Sequence, residues 1–274
     1  MRDFTRRDFC RCLAAGTGAA ATIAGQQDDP MPGRPPSSER SGSPGRGENI
    51  MAIAAHPGDG FFAMGATVAV EVSLGGQGVF VSLSPGERGS AKIAPQQYGE
   101  LQRKASERAA EILGARTSIL SWPDGEVPVN EEIKFAVCDL IREYRPGVVV
   151  THWKGSWHKD HRACFDVVED AIFYAGLPAV ARRSPAHTVG KVFFADNWED
   201  ADGFRPDTYL DITRVFDRWM EACAVFPMWR GENGFRYDDY YRSLAVARGC
   251  VGGSRYAVAL MSPADQLVRH TAAL

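Results

Sequence analysis

The chain has no excess of either charge: 31 Lys and Arg stand against 34 Asp and Glu, a formal net charge of -3. Such a balance gives no electrostatic footprint for nucleic acid or for an anionic membrane surface. No run of about 20 strongly apolar residues occurs, so no segment of the mature chain reads as a transmembrane helix. Cysteine is scarce, with 6 in 274 residues, irregularly spaced and without a CxxC pair. Thiolate metal binding therefore has no sequence support. Cys138 and Cys164 fall in predicted helices and read as small buried apolar residues. Internal repeats are absent. What remains is 45% hydrophobic and 24% charged, the composition of a globular chain long enough for one large α/β domain.

The N-terminus is set apart. Thr5-Arg6-Arg7-Asp8-Phe9-Cys10-Arg11 is a twin-arginine pattern, followed by a weakly apolar, Ala- and Gly-rich stretch from Cys12 to Gly25. Residues 1–25 read as a signal peptide for the Tat export machinery. The expected location is bacterial and exported: periplasmic, cell-surface or extracellular. Residues 26–48 hold Pro, Gly, Ser and charge with almost nothing apolar, and read as a disordered linker. The folded domain is expected over 49–274.

From residue 49 the pattern alternates. Short apolar runs at 49–55, 78–83, 118–122 and 147–151 read as strands. Helical spacing marks 62–74, 98–113 and 131–144, with Gly75-Gly76 and Gly114 as stops. This order predicts a parallel sheet with helices on both faces. Further on, 162–173, 215–226 and 240–249 read as helices, and 191–195 and 209–212 as strands. The aromatic and charged stretch 232–242 is expected to border a cleft.

Ligands of such sheets bind at the carboxyl ends of the strands. Four polar loops open on that edge: His56-Pro57-Gly58-Asp59, Pro85 to Gly89, Pro123 to Glu126, and His152 to His161. The His56-Pro57-Gly58-Asp59 and His158-Lys159-Asp160-His161 motifs together offer two imidazoles and a carboxylate. That is a three-ligand set with an open position, suited to zinc or another divalent metal and to a hydrolase that activates water. His152 reads as a loop histidine beside the site. Glu87 and Arg88 sit at a strand end, where they can shape a cleft. Arg103 and Glu107, at i and i+4, read as a helix-face ion pair.

The segments AHPGDGFFAMGAT, SPGERGS, the helix carrying Arg103 and Glu107 into ILGA, WPDGEVP and HWKGSWHKDHRA run in order over roughly residues 49–180. Together with GGSRYA near Tyr256, they resemble the LmbE-like (PIG-L) N-acetylglucosaminyl deacetylase family. The resemblance implies a Rossmann-like three-layer α/β domain with a mainly parallel sheet, a zinc ion, and hydrolysis of an N-acetyl group on a sugar or glycoconjugate. By position it makes His56, Asp59 and His161 the metal ligands. It makes His158 the residue that polarises the carbonyl, and Asp160 the acid that orients an imidazole. Glu87, Arg88 and Trp157 are expected to meet substrate, Trp157 by stacking on a sugar beside His158. Trp153, Trp198 and Trp229 read as packing.

The chain also departs from that pattern. Gly58 stands where the family carries its general-base aspartate, Gly60 where it carries glutamate, and Val258 where a glutamate is common. Among substitute bases Asp160 ranks first, ahead of Glu87, Asp124 and Glu126. The readings left open are a zinc deacetylase, a metal-retaining carbohydrate-binding pseudoenzyme, and a zinc amidase for another acyl group.

Overall fold

A computed structural model describes residues 47–231 and 234–264. The signal-like segment 1–25, the linker up to residue 46, and Glu232 and Asn233 of the aromatic stretch lie outside the described residues.

Strand β1 (Ile50–Ala54) sets the plan, because all five of its residues are buried. Ile50, Ala52 and Ala54 join one core cluster, whereas Met51 and Ile53 join the other. Alternation with period two thus feeds two hydrophobic layers from one strand. Around it lie β2 (Gly78–Ser82), β3 (Arg116–Ile119), β4 (Val148–Thr151), β5 (Lys191–Ala195), β6 (Thr208–Asp211) and β7 (Ala257–Met261). They form one seven-stranded sheet in the order β3-β2-β1-β4-β5-β7-β6. The first five strands are mutually parallel, and β7 runs antiparallel between β5 and β6.

Helices cover both faces. On one side lie α1 (residues 57–73), α2 (Pro95–Leu113), α5 (Phe216–Cys223) and α6 (Tyr237–Gly252), contributing Phe61, Val68, Ala109, Leu113, Trp219 and Tyr241 to the core. On the other lie α3 (Glu131–Tyr144) and α4 (Lys159–Gly176), contributing Ile133, Val137, Ile141, Val167 and Val168. Cys138 and Cys164 are buried in this second layer. The fold is therefore three-layered with a mostly parallel sheet, as the pattern predicts.

Helix α1 is continuous but irregular: an α turn Pro57–Asp59, a π-type turn Gly60–Met64, and an α segment Gly65–Ser73. It starts five residues before the predicted boundary. A π turn leaves carbonyls off the regular ladder. Here Phe61 O accepts the Trp219 Nε1–H at 2.8 Å and the Cys223 thiol at 3.4 Å. Helix α4 likewise begins three residues early, which moves His161 from a loop into a first helical turn.

Three further differences have local causes. Regular pairing of β3 ends at Ile119, but Leu120 N–H still bonds Ser82 O at 2.8 Å, so the tail of the predicted strand runs on beside β2. Arg103 donates to Ile119 O at 3.4 Å instead of pairing with Glu107. Strand β7, absent from the sequence reading, is a short apolar run whose periodicity alone cannot separate strand from helix.

One buried cation anchors the α3–α4 layer. The Arg142 guanidinium is 3% exposed and donates to the carbonyls of Tyr174, Ala175, Leu177, Val180 and Ser184 at 2.8–3.3 Å. It adds a charged donor to the carbonyls at the end of α4, three of which also accept a backbone N–H, and ties them to the segment beyond.

Candidate metal centre

The strand order reverses direction between β1 and β4, and crevices of this kind hold ligands outside the carboxyl ends of the strands. His56 leaves β1 and caps α1, with Pro57 at the first helical position. Its backbone N–H donates to Asp59 Oδ2 at 3.3 Å, so the turn itself fixes Asp59. From the β4 side, His158 caps α4: its Nδ1 accepts the Asp160 N–H at 3.2 Å. One turn later His161 is buried.

These elements meet at one carboxylate oxygen. Asp59 Oδ2 lies 3.0 Å from His56 Nδ1 and 3.2 Å from His161 Nε2. Each imidazole turns its other nitrogen to a carboxylate. His56 Nε2 lies 3.1 Å from both Asp160 Oδ2 and Asp124 Oδ1, and His161 Nδ1 lies 2.8 Å from Asp200 Oδ1. Metal-binding histidines are characteristically held this way, with the outer N–H on a carboxylate and the inner nitrogen facing the ion. The donor set His56, Asp59 and His161 therefore fits a divalent metal by its chemistry. His56, His158 and His161 also bring ring nitrogens within 4.8 Å of one another.

His152 falls in a second group of this kind, with Asp59 and His161, but its lone pair is spent. Ala55 N–H donates to His152 Nε2 at 3.1 Å. The proton must then sit on Nδ1, which donates to Asp200 Oδ2 at 2.7 Å. His152 is fully buried and props the site rather than opening on it.

The charges are set by burial and by this web. For His161, burial acts to lower the pKa, but the Asp59 charge and the Asp200 bond outweigh it and hold the ring at about 10. His56 is likewise raised, its burial overcome by Asp124, Asp160 and Asp59. Burial acts to raise Asp59, yet His161 and His56 keep it well below the usual carboxylate range. His158 goes the other way: burial, then the charges of His161 and His56, push it down to about 4. Burial and the Asp59 charge push Glu199 up to about 7.

A cavity of about 260 Å³ opens over these groups, lined among others by His56, Gly58, Asp59, Asp124, Trp157, His158, His161 and Glu199. Trp157 stands at its edge, 63% exposed. Gln102 also lines it, with Oε1 buried and without a hydrogen-bond partner among the described residues. No Lys or Arg lines it among the described residues.

Other candidates lie elsewhere. Asp160 is fully buried, and its oxygens take the Gly125 N–H at 2.6 Å and the Val127 N–H at 3.4 Å besides His56. As a substitute base this corrects the sequence ranking: Asp160 orients His56 and does not face the cavity. Glu87 takes the Asp124 N–H at 3.0 Å and the Ser84 hydroxyl at 3.4 Å, acting as a strut between loops. Arg88 bonds Asp124 O and Glu126 at 2.7 Å and lines a neighbouring cavity. Trp229 is buried, Trp153 packs on Phe194, and Trp198 stacks on Phe235 at 4.4 Å.

Sequence reasoning missed Asp200 and Glu199. Both sit in the 3-10 turn Trp198–Asp200 just after β5. The signal was present: a carboxylate pair directly follows a predicted strand, on the edge where the other polar loops open.

Comparison with known proteins places this geometry. The family model for GlcNAc-PI de-N-acetylases (PIG-L) matches residues 51–172, the span that holds His56, Asp59, His158 and His161. That span, under half of the 274 residues, is similar to the PIG-L family. It is 25% identical over 224 residues to the diacetylchitobiose deacetylase of Thermococcus kodakarensis, covering 77% of this chain and 81% of that one. It is 26% identical over 211 residues to the 4-oxalmesaconate hydratase of Pseudomonas putida, covering 74% and 80%. In fold, the chain resembles the solved N,N'-diacetylchitobiose deacetylase from Pyrococcus horikoshii, with TM-score 0.68, 20% identity, and coverage of 81% and 89%.

Proposed function

We propose that this chain is a metal-dependent hydrolase that removes N-acetyl groups from an N-acetylglucosamine-containing glycan or glycoconjugate. The observation that carries the reading is the Asp59 oxygen set between His56 Nδ1 and His161 Nε2 on the floor of an open cavity. A divalent ion such as zinc, held by these three residues, supplies Lewis-acid polarisation and water with a pKa lowered to about 7.

The chain's own residues do the rest. His158 accepts the Asp160 N–H at Nδ1, so its neutral ring carries the proton on Nε2. With a pKa of about 4 it is neutral at pH 7, and a cation in the site acts in the same direction. It can therefore donate to the carbonyl oxygen as negative charge develops there. Asp160 and Asp200 fix the two imidazoles. Trp157 offers an exposed ring face to a sugar, and Arg88 and Glu87 shape the adjoining loop. The twin-arginine pattern supports export through the Tat route, with 1–25 as signal, 26–48 as linker and 49–274 as the working domain.

The hydratase relative favours a second reading, water addition to an unsaturated carboxylic acid. The charge of the cavity weighs against it. Asp59, Asp124 and Glu199 line the space and no Lys or Arg does among the described residues, so beyond the metal and its histidines a polycarboxylate finds no guanidinium or ammonium to pair its further charges. A neutral acetamido sugar meets no such cost.

Acetate release from N-acetylglucosamine, N,N'-diacetylchitobiose and larger conjugates, measured with zinc-loaded protein, tests the reading. Release that disappears in His161→Ala supports it. Zinc binding without release from any of these sugars overturns it and leaves the carbohydrate-binding pseudoenzyme.

A further inference from the structure

We infer that Glu199 is the catalytic residue that takes the proton of the attacking water. The inference rests on the amide-hydrolase reading above. Amide hydrolysis needs an acceptor for that proton within hydrogen-bond reach of the water. Gly58 cannot supply one, and the space a side chain there would enter is bounded by Met228 Sδ and Phe62 Cε2, each 3.2 Å from an ideal Cβ.

Three carboxylates line the cavity: Asp59, Asp124 and Glu199. Asp59 is committed to both imidazoles through Oδ2. Asp124 is committed through both oxygens, Oδ1 to His56 Nε2 at 3.1 Å and Oδ2 to the Arg88 N–H at 3.1 Å. Glu199 differs. Among the described residues no N–H or O–H group donates a hydrogen bond to its carboxylate, and His161 Nε2 lies 3.7 Å from its Oε2.

The backbone under this side chain is fixed. Glu199 N–H donates to Asn197 Oδ1 at 3.2 Å, and Glu199 O accepts the Trp157 N–H at 3.1 Å. The second bond ties the turn after β5 to the loop that carries His158. The carboxylate therefore enters beside the nitrogen of a candidate ligand from the β5 side, while the wall near Gly58 is closed by thioether and ring.

The step balances without a further reactant. The water oxygen bonds to the carbonyl carbon as its proton passes to Glu199. The carbon–nitrogen bond then breaks, and that proton moves to the leaving nitrogen. The products are a free amine and acetic acid, which keeps the second proton of the water until it ionises to acetate in solution, and Glu199 is again a carboxylate.

The test compares wild type, Glu199→Gln and Glu199→Asp for acetate release and for zinc dissociation constant by chelator competition. Glu199→Gln is expected to lower kcat about 10²–10⁴-fold, with KM and the zinc constant within about threefold. Glu199→Asp, which keeps the carboxylate, retains more of kcat than Glu199→Gln and guards against a folding artefact. A Glu199→Gln kcat within fivefold of wild type overturns the inference alone. A tenfold loss of zinc affinity also overturns it, by making Glu199 a ligand. No release by wild type overturns the hydrolase reading and this inference with it.

Discussion

Asp200 holds His152 with one carboxylate oxygen and His161 with the other, at 2.7 Å and 2.8 Å from their Nδ1 atoms. Its side chain is fully buried, and the two histidines come from different elements, the end of β4 and the first turn of α4. The bridge fixes which nitrogen of His161 faces Asp59. Asp200→Asn keeps the shape but turns one acceptor into a donor that meets an N–H. Loss of such an outer carboxylate typically costs about 10–100-fold in metal affinity. Chelator competition is expected to find that loss in Asp200→Asn; unchanged affinity removes Asp200 from the site.

Proton linkage gives a second expectation. In the metal-free protein His161 is held at about 10, above its ordinary 6.5. The folded state then binds more protons than the unfolded state between these values, so stability falls as pH rises. The contribution is fully present below about pH 6.5 and is lost on passing about 10. Thermal midpoints of metal-free protein at pH 6, 8 and 10 should fall in that order. Zinc must displace the His161 proton, so zinc affinity should rise with pH, by about tenfold per unit for each proton released. Calorimetry in buffers of different ionisation enthalpy counts those protons; none released at pH 7 contradicts the assignment.

Much of this was legible in the sequence because it rests on local pattern. The run from Ile50 to Ala54 reads as a doubly buried strand, and His56 to Asp59 reads as its outgoing loop. His158 to His161 carries its own spacing. The remainder depends on contacts between distant segments. Nothing in the sequence separation of 48 residues ties His152 to Asp200, and the commitment of Asp160 to His56 emerges only when α4 is seated under β1. The π turn in α1 depends on Trp219 reaching Phe61 O, a partner 158 residues away.

Restoring an acid at position 58 is a natural experiment with a structural obstacle. Cβ at that position meets Met228 Sδ and Phe62 at 3.2 Å, contacts that force neighbours to shift. Overpacking of this kind costs about 1–3 kcal/mol. Gly58→Asp alone is therefore expected to lower the thermal midpoint without raising acetate release. Gly58→Asp with Met228→Ala should recover part of the stability. Equal midpoints for wild type and Gly58→Asp would show that the wall yields freely.

Trp157 makes a cleaner probe of substrate contact, since its exposed ring bears little of the core. Trp157→Ala is expected to leave the thermal midpoint within about a degree, as exposed substitutions usually do. If the ring stacks on sugar, KM rises about fivefold, in line with about 1 kcal/mol for an aromatic contact, while kcat stays within twofold. An unchanged KM for every sugar in the panel removes the stacking role.

Arg142 separates stability from chemistry. Its guanidinium bonds five carbonyls at the end of α4 and in the segment beyond it, on the α3–α4 side and remote from the cavity lining. Arg142→Met keeps the aliphatic stem but removes every donor: the Tyr174, Ala175 and Leu177 carbonyls keep a backbone N–H, whereas the half-buried Val180 and Ser184 carbonyls lose the guanidinium. A hydrogen bond to a charged group contributes about 1.5–3 kcal/mol, although the remaining backbone bonds, relaxation and water recover part of the sum. The net loss is expected at about 2–4 kcal/mol, read as a lower denaturation midpoint. Zinc affinity and kcat should hold below the melting range, because α4 is positioned at its other end by His158 and Asp160. A fall in zinc affinity for well-folded Arg142→Met would instead mean that the end of α4 controls the placement of His161 along the whole helix.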